Sequence, residues 1–174
     1  MRALLLCLLL LAPSLAETDP ASLAFFERWR ALDGRTFEGR MVYPTDRPDH
    51  EMAGKPMLLR VQVVSAEEIR IPFQVGEDAS RTWILRQTVD GLLLKHDHRL
   101  ADGSPDPVTM YGGLALPGGL GLVQIFPADR ETAAMLPEAS SNAWCLEFSP
   151  DGQRLTYTLE RHQQPRFQAV FQPR

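Results

Sequence analysis

Residues 82–99 read TWILRQTVDGLLLKHDHR, two apolar-rich arms joined by Asp90-Gly91. Asp-Gly between alternating segments is a hairpin signal, because the pair supplies the backbone conformations a two-residue turn demands. With Asp90-Gly91 as the turn, Val89 pairs with Leu92, Gln87 with Leu94, Leu85 with His96 and Trp83 with His98. One face then carries Trp83, Leu85, Gln87, Val89, Leu92, Leu94, His96 and His98. The other carries Thr82, Ile84, Arg86, Thr88, Leu93, Lys95, Asp97 and Arg99, and is much wetter. Successive side chains of a strand point to opposite sides, so this contrast predicts a sheet with one buried face.

The same period of two recurs outward from the hairpin. Met57, Leu59, Val61 and Val63 share a face, as do Ile69, Ile71, Phe73 and Val75, with Arg60, Gln62, Arg70 and Gln74 opposite. Phe37, Met41 and Tyr43 form an earlier segment; Trp144, Leu146 and Phe148, then Leu155, Tyr157 and Leu159, then Phe167, Ala169 and Phe171 form later ones. Turn residues such as Gly76-Glu77-Asp78 and Asp151-Gly152 separate them. A one-sided sheet this long must curl or split, and its short connections predict an antiparallel up-and-down β-barrel of about 8–10 strands. Residues 102–137, broken by Gly112-Gly113, Pro117-Gly118-Gly119 and Pro127, are expected to hold edge strands and a long loop.

Only one segment has helical spacing. Ser22, Phe25, Phe26, Trp29 and Leu32 recur every three or four residues, Asp19-Pro20 supplies a cap with proline in the first turn, and Gly34 a stop. This predicts one N-terminal α-helix over about 20–33, covering the barrel core, or offering its aromatic stripe to a partner.

Arg2, the apolar run 3–12 and Pro13-Ser14-Leu15-Ala16 have the layout of a signal peptide cleaved after residue 16. The expected product, 17–174, is one exported domain, periplasmic or secreted from a bacterium. No later run reaches the roughly 20 apolar residues of a spanning helix, so no transmembrane segment is expected. Cys145 is the single cysteine after residue 16, so the domain cannot form an internal disulfide. A net charge of −4 with no basic run argues against a nucleic-acid partner, which would require a concentrated cationic surface.

A helix followed by an antiparallel barrel with one buried face resembles the lipocalin and fatty-acid-binding-protein group, the calycin-like barrels. The resemblance spans most of 17–174 as architecture and implies a hydrophobic small molecule held inside. On the hairpin faces, His96 and His98 point inward with Trp83 while Asp97 points outward. Three readings of the pair stand. They line a ligand cavity with Trp83, Leu85, Tyr111 and Trp144; they begin a metal site, which needs a third and fourth ligand; or they are core histidines bonded to carbonyls or to Tyr111. The metal reading makes the chain a metal carrier or metal-dependent enzyme, and an envelope interaction protein is a further alternative. The elbow, phosphate-loop, zinc-helix and dinucleotide motifs of common enzymes do not occur, which points to binding rather than catalysis. Asp102-Gly103-Ser104-Pro105-Asp106-Pro107 reads as a plain turn, and Cys145, alternating with Trp144 and Leu146, as an inert thiol on the outer face.

Overall fold

The computed structural model describes residues 19–44, 46 and 50–174. The expected signal peptide, 1–16, lies outside them. The described chain is mainly β: after helix α1 (Pro20–Arg30) come β1 (Thr36–Tyr43), β2 (Met57–Arg60), β3 (Gln62–Val63), β4 (Glu68–Val75), β5 (Asp78–Thr88) and β6 (Gly91–His98). Then follow β7 (Tyr111–Leu114), β8 (Val123–Pro127), helix α2 (Arg130–Met135), a 3₁₀ turn (Pro137–Ala139), β9 (Asn142–Phe148), β10 (Leu155–Arg161) and β11 (Gln164–Pro173). β2 and β3 keep a single register on β4, with Leu59 opposite Phe73 and Gln62 opposite Arg70. They are two pieces of one strand interrupted at Val61, whose N–H bonds the Arg35 carbonyl instead.

The sheet runs β7-β6-β5-β4-β2-β1-β11-β10-β9-β8, antiparallel throughout. With β2 and β3 counted as one strand, sheet neighbours are chain neighbours except where β1 meets β11, which joins the first strand to the last. The two remaining edges, β7 and β8, approach one another: Leu116 N–H donates to the Ile125 carbonyl at 2.8 Å, and Asp129 N–H to that of Gly112 at 2.8 Å. The barrel is therefore nearly closed, as the short connections required.

Four differences from the sequence expectation have physical causes. The hairpin turn is Val89-Asp90, with Thr88 opposite Gly91, Gln87 opposite Leu92 and Trp83 opposite His96. Gly91, at φ 124°, takes the backbone conformation a side chain would resist, just after the turn. Val89 is consequently 88% exposed instead of facing inward. The register differs by two residues, an even number, so every other residue keeps its face. Second, α1 stops at Arg30, and Leu32 and Arg35 N–H groups make tighter turn bonds up to Gly34. Third, Gly112 and Gly113, expected to break the segment 102–137 into pieces, lie inside the strand Tyr111–Leu114. Fourth, Lys95 and Asp97 on the outer face are buried, because α2 and the loop before β7 lie over β6. Each charge has a partner there: Lys95 Nζ donates to Asp129 at 2.6 Å, and Asp97 accepts from Arg99 and from Thr109 Oγ1 at 3.1 Å.

Helix α1 closes one end of the barrel. Asp19 caps it by accepting from Ser22 N–H at 3.1 Å and from Ser22 Oγ at 2.9 Å. Phe25, Phe26 and Trp29 are fully buried, and the Phe25 and Trp29 rings lie 5.8 and 4.9 Å from that of Phe148 at the end of β9. The aromatic stripe is thus core and not a docking face. Above the helix, Phe37, Leu59, Ile71, Leu85, Leu94, Leu146, Leu155 and Phe171 are sealed from solvent and fill that half of the interior.

Candidate functional site

The other half is not filled. Toward the strand ends that carry His98, Asn142, Arg161 and Phe167, the inward residues surround a cavity of about 420 Å³. Its walls are aromatic: Phe73 from β4, Trp83 from β5, Trp144 from β9, Tyr157 from β10 and Phe167 from β11, with Tyr111 from β7. Trp83 and Tyr157 sit with ring centres 4.5 Å apart, Trp83 and Phe73 at 5.1 Å. Met52, Leu136 and Leu159 add aliphatic surface. Apolar walls carrying a few convergent polar groups are the usual make-up of a small-molecule site.

His96 lies in the wall, fully enclosed. Its ring stacks on Tyr111 (4.8 Å between centres, 13° between planes) and lies 5.0 Å from Trp144. Nδ1 is 3.2 Å from the Tyr111 carbonyl oxygen and Nε2 is 3.1 Å from the Tyr157 hydroxyl. Burial, which penalises the charged imidazolium, pushes its pKa down to about 3, so the ring is neutral. His98 sits nearer the mouth, with Nε2 2.9 Å from the Tyr111 hydroxyl. Partial burial and then the nearby Arg81 lower its pKa, while Asp106, Asp78 and Asp97 oppose that shift. The phenol of Tyr111, also enclosed, is pushed up to about 12 by burial and stays protonated.

The mouth is polar. Arg81 pairs with Asp78 and lies 3.9 Å from Glu51. Arg161 Nε donates to Asn142 Oδ1 at 2.8 Å, and His50 stacks over Phe167 at 5.7 Å. Carboxylates of Asp106 and Glu138 complete the rim.

Of the residues singled out in the sequence, Trp83, His96, His98, Tyr111 and Trp144 all line this cavity. Leu85 does not: it shares their face but lies in the filled half, fully buried. Tyr157, Phe167 and Phe73 are wall residues too, marked in the sequence only as inward by their alternation, and Arg161 and Asn142, which end their strands opposite one another, carry no such mark. Asp97 takes no part, its carboxylate being held on the outside by Arg99 and Thr109. For a metal on His96 and His98, both His96 ring nitrogens already have partners, and no cluster of three or more His, Cys, Asp or Glu suited to an ion occurs among the described residues.

Asp102 accepts from Ser104 N–H at 2.9 Å and Asp106 from Val108 N–H at 2.7 Å, the bonding of simple aspartate turns. Cys145 faces outward, its thiol pushed up to about 11 by burial and by Glu147 and Glu160, which disfavours the nucleophilic thiolate. Larger hollows of about 620 and 760 Å³ lie on the outer surface of the barrel, lined by residues such as Glu38, Arg40 and Glu147 or Lys95 and Asp129.

Compared with protein-family models, with curated proteins and with solved structures, the chain matches none.

Proposed function

We propose that this protein is an exported barrel that binds a small, largely apolar molecule without transforming it, as members of the lipocalin and fatty-acid-binding-protein group do. The observation that carries the reading is the cavity of about 420 Å³ walled by Trp83, Trp144, Tyr157 and Phe167. Natural cores fill such space, because each void forfeits the contacts its lining atoms would make. Leaving it open beside large aromatic faces is intelligible when another molecule supplies those contacts. Binding is favoured over catalysis by the state of the polar groups: His96 is neutral with both nitrogens engaged, and the Tyr111 proton is held tightly. Export rests on the sequence of residues 1–16.

Native mass spectrometry of protein purified from its own host tests the reading. The expected result is a mass excess that disappears on denaturation and a polypeptide mass beginning at Glu17. A chain that is consistently empty, and that takes up no apolar probe when offered, overturns the binding reading; recovery of uncleaved chain from the cytoplasm overturns export.

A further inference from the structure

We propose that the buried end of the ligand carries a neutral N–H or O–H group that donates a hydrogen bond to the Tyr157 hydroxyl oxygen. The inference rests on the binding reading above and specifies the chemistry at the floor of that cavity.

Its basis is a chain of hydrogen-bond obligations beginning at a carbonyl. The Tyr111 carbonyl can only accept, so the contact at 3.2 Å requires a proton on His96 Nδ1. His96 is neutral in its enclosed position, so one proton is all the ring has, and Nε2 presents a lone pair. At 3.1 Å from that lone pair, the Tyr157 hydroxyl must donate. Its only hydrogen is thereby committed, and what remains on the oxygen is capacity to accept. The β-ladder thus sets the polarity of the floor two residues away from the atom concerned.

No described side chain donates to Tyr157 in return; His96 is its one hydrogen-bond partner. The neighbouring rings, Trp83 at 4.5 Å and Phe167 at 5.9 Å between centres, enclose it in apolar surface. An acceptor walled in this way loses free energy whenever an apolar or accepting group faces it, and regains it from a donor. Inward positions Tyr157, Leu159 and Arg161 climb β10 toward the mouth, so the hydroxyl's residue lies roughly 13 Å below that of Arg161, four residues at about 3.3 Å each. The carboxylates of the cavity, on Glu51, Asp106 and Glu138, belong to the rim. A cationic donor at the floor would be desolvated without a counter-charge, which favours a neutral one: an alcohol, a phenol or a ring N–H on a flat apolar frame.

Carbazole and dibenzofuran test this, since they share one tricyclic frame and differ by a ring N–H against a ring oxygen. Equilibrium dialysis against the wild-type protein at neutral pH is expected to show carbazole held roughly three- to tenfold more tightly, the worth of one neutral hydrogen bond. In Tyr157→Phe the preference is expected to vanish while dibenzofuran affinity stays within about twofold. Equal affinities in the wild type, or a preference that survives in Tyr157→Phe, overturn the donor assignment while leaving the binding reading intact. Retention of neither compound overturns both. Nitrogen-15 NMR of the histidine rings checks the first link without any variant: a proton found on His96 Nε2 in place of Nδ1 overturns the proposal.

Discussion

His96 ties stability to pH. Its imidazole titrates near 6.5 in the unfolded chain, and burial pushes it down to about 3 in the fold. Between those values the unfolded state takes up a proton that the folded state refuses. Stability is therefore complete above about pH 6.5 and falls as pH drops toward 3. His98 is shifted in the same direction and adds to the slope. Urea unfolding at pH 7 and pH 5 is expected to differ by about 2 kcal/mol from His96 alone, at 1.36 kcal/mol per pH unit over the first 1.5 units. His96→Gln, though less stable at both values, should flatten the dependence by about that amount. A wild-type curve identical at pH 7 and pH 5 would mean that the ring is not enclosed as described. The neutral state behind this slope is also what forces the Tyr157 hydroxyl to donate, so the ring's stability effect and its binding chemistry have one origin. Sequence alternation made the inward direction of His96 legible, but not its neutrality: that depends on Tyr111 from the following strand and on Trp144 and Tyr157 from strands distant in the chain.

At the scale of elements, the β5–β6 hairpin was readable because face parity survives an even slip in register. Asp90-Gly91 marked the place of the turn, yet the loop is Val89-Asp90, and partners moved by two residues without any inward side chain but Val89 changing side. The seam between β7 and β8 was far less legible, since its strands are short and its contacts belong to the folded barrel. A Cβ on Gly113 would stand 1.9 Å from the Pro127 carbonyl oxygen of β8, and one on Gly112 would stand 2.0 Å from the Leu94 carbonyl oxygen of β6, so Gly113 permits the close approach across the seam and Gly112 the close approach to β6. Thr132, fully buried in α2, then ties β7 down: its hydroxyl accepts from Gly112 N–H at 2.8 Å and donates to the Gly112 carbonyl at 2.9 Å. Thr132→Val keeps the shape and removes both bonds. The carbonyl retains the Asp129 N–H as a partner, while the Gly112 N–H is orphaned. A loss of about 1–3 kcal/mol is expected in chemical unfolding, with faster hydrogen exchange at Gly112 above that of β10. An unchanged exchange rate at Gly112 would remove Thr132 from the seam's support.

Across the whole molecule, stability and binding divide along the barrel axis. Trp83 and Leu85 face the same way on one strand, yet Leu85 belongs to a packed layer and Trp83 to the cavity wall. Periodicity cannot separate them, because it reports which face is inward and not how much space the opposing strands leave. What does separate them is the helix: α1 brings Phe25, Phe26 and Trp29 to the Phe148 end only, and the mouth is bordered instead by charged side chains and the Pro137–Ala139 turn. Two substitutions should then behave oppositely. Trp29→Ala empties the plug and is expected to lower unfolding free energy by about 3–5 kcal/mol, while dibenzofuran affinity stays within about twofold, since no cavity wall is touched. Leu159→Trp adds bulk where space already exists, so it should shift stability by less than about 1 kcal/mol and abolish probe uptake; the same enlargement in a packed layer, at Leu146, should destabilise by about 1–3 kcal/mol. Dialysis and urea unfolding on the three variants decide the matter. Binding lost in proportion to stability in Trp29→Ala, or probe still retained by Leu159→Trp, would show that the interior acts as one unit and that the open half is not a separate site.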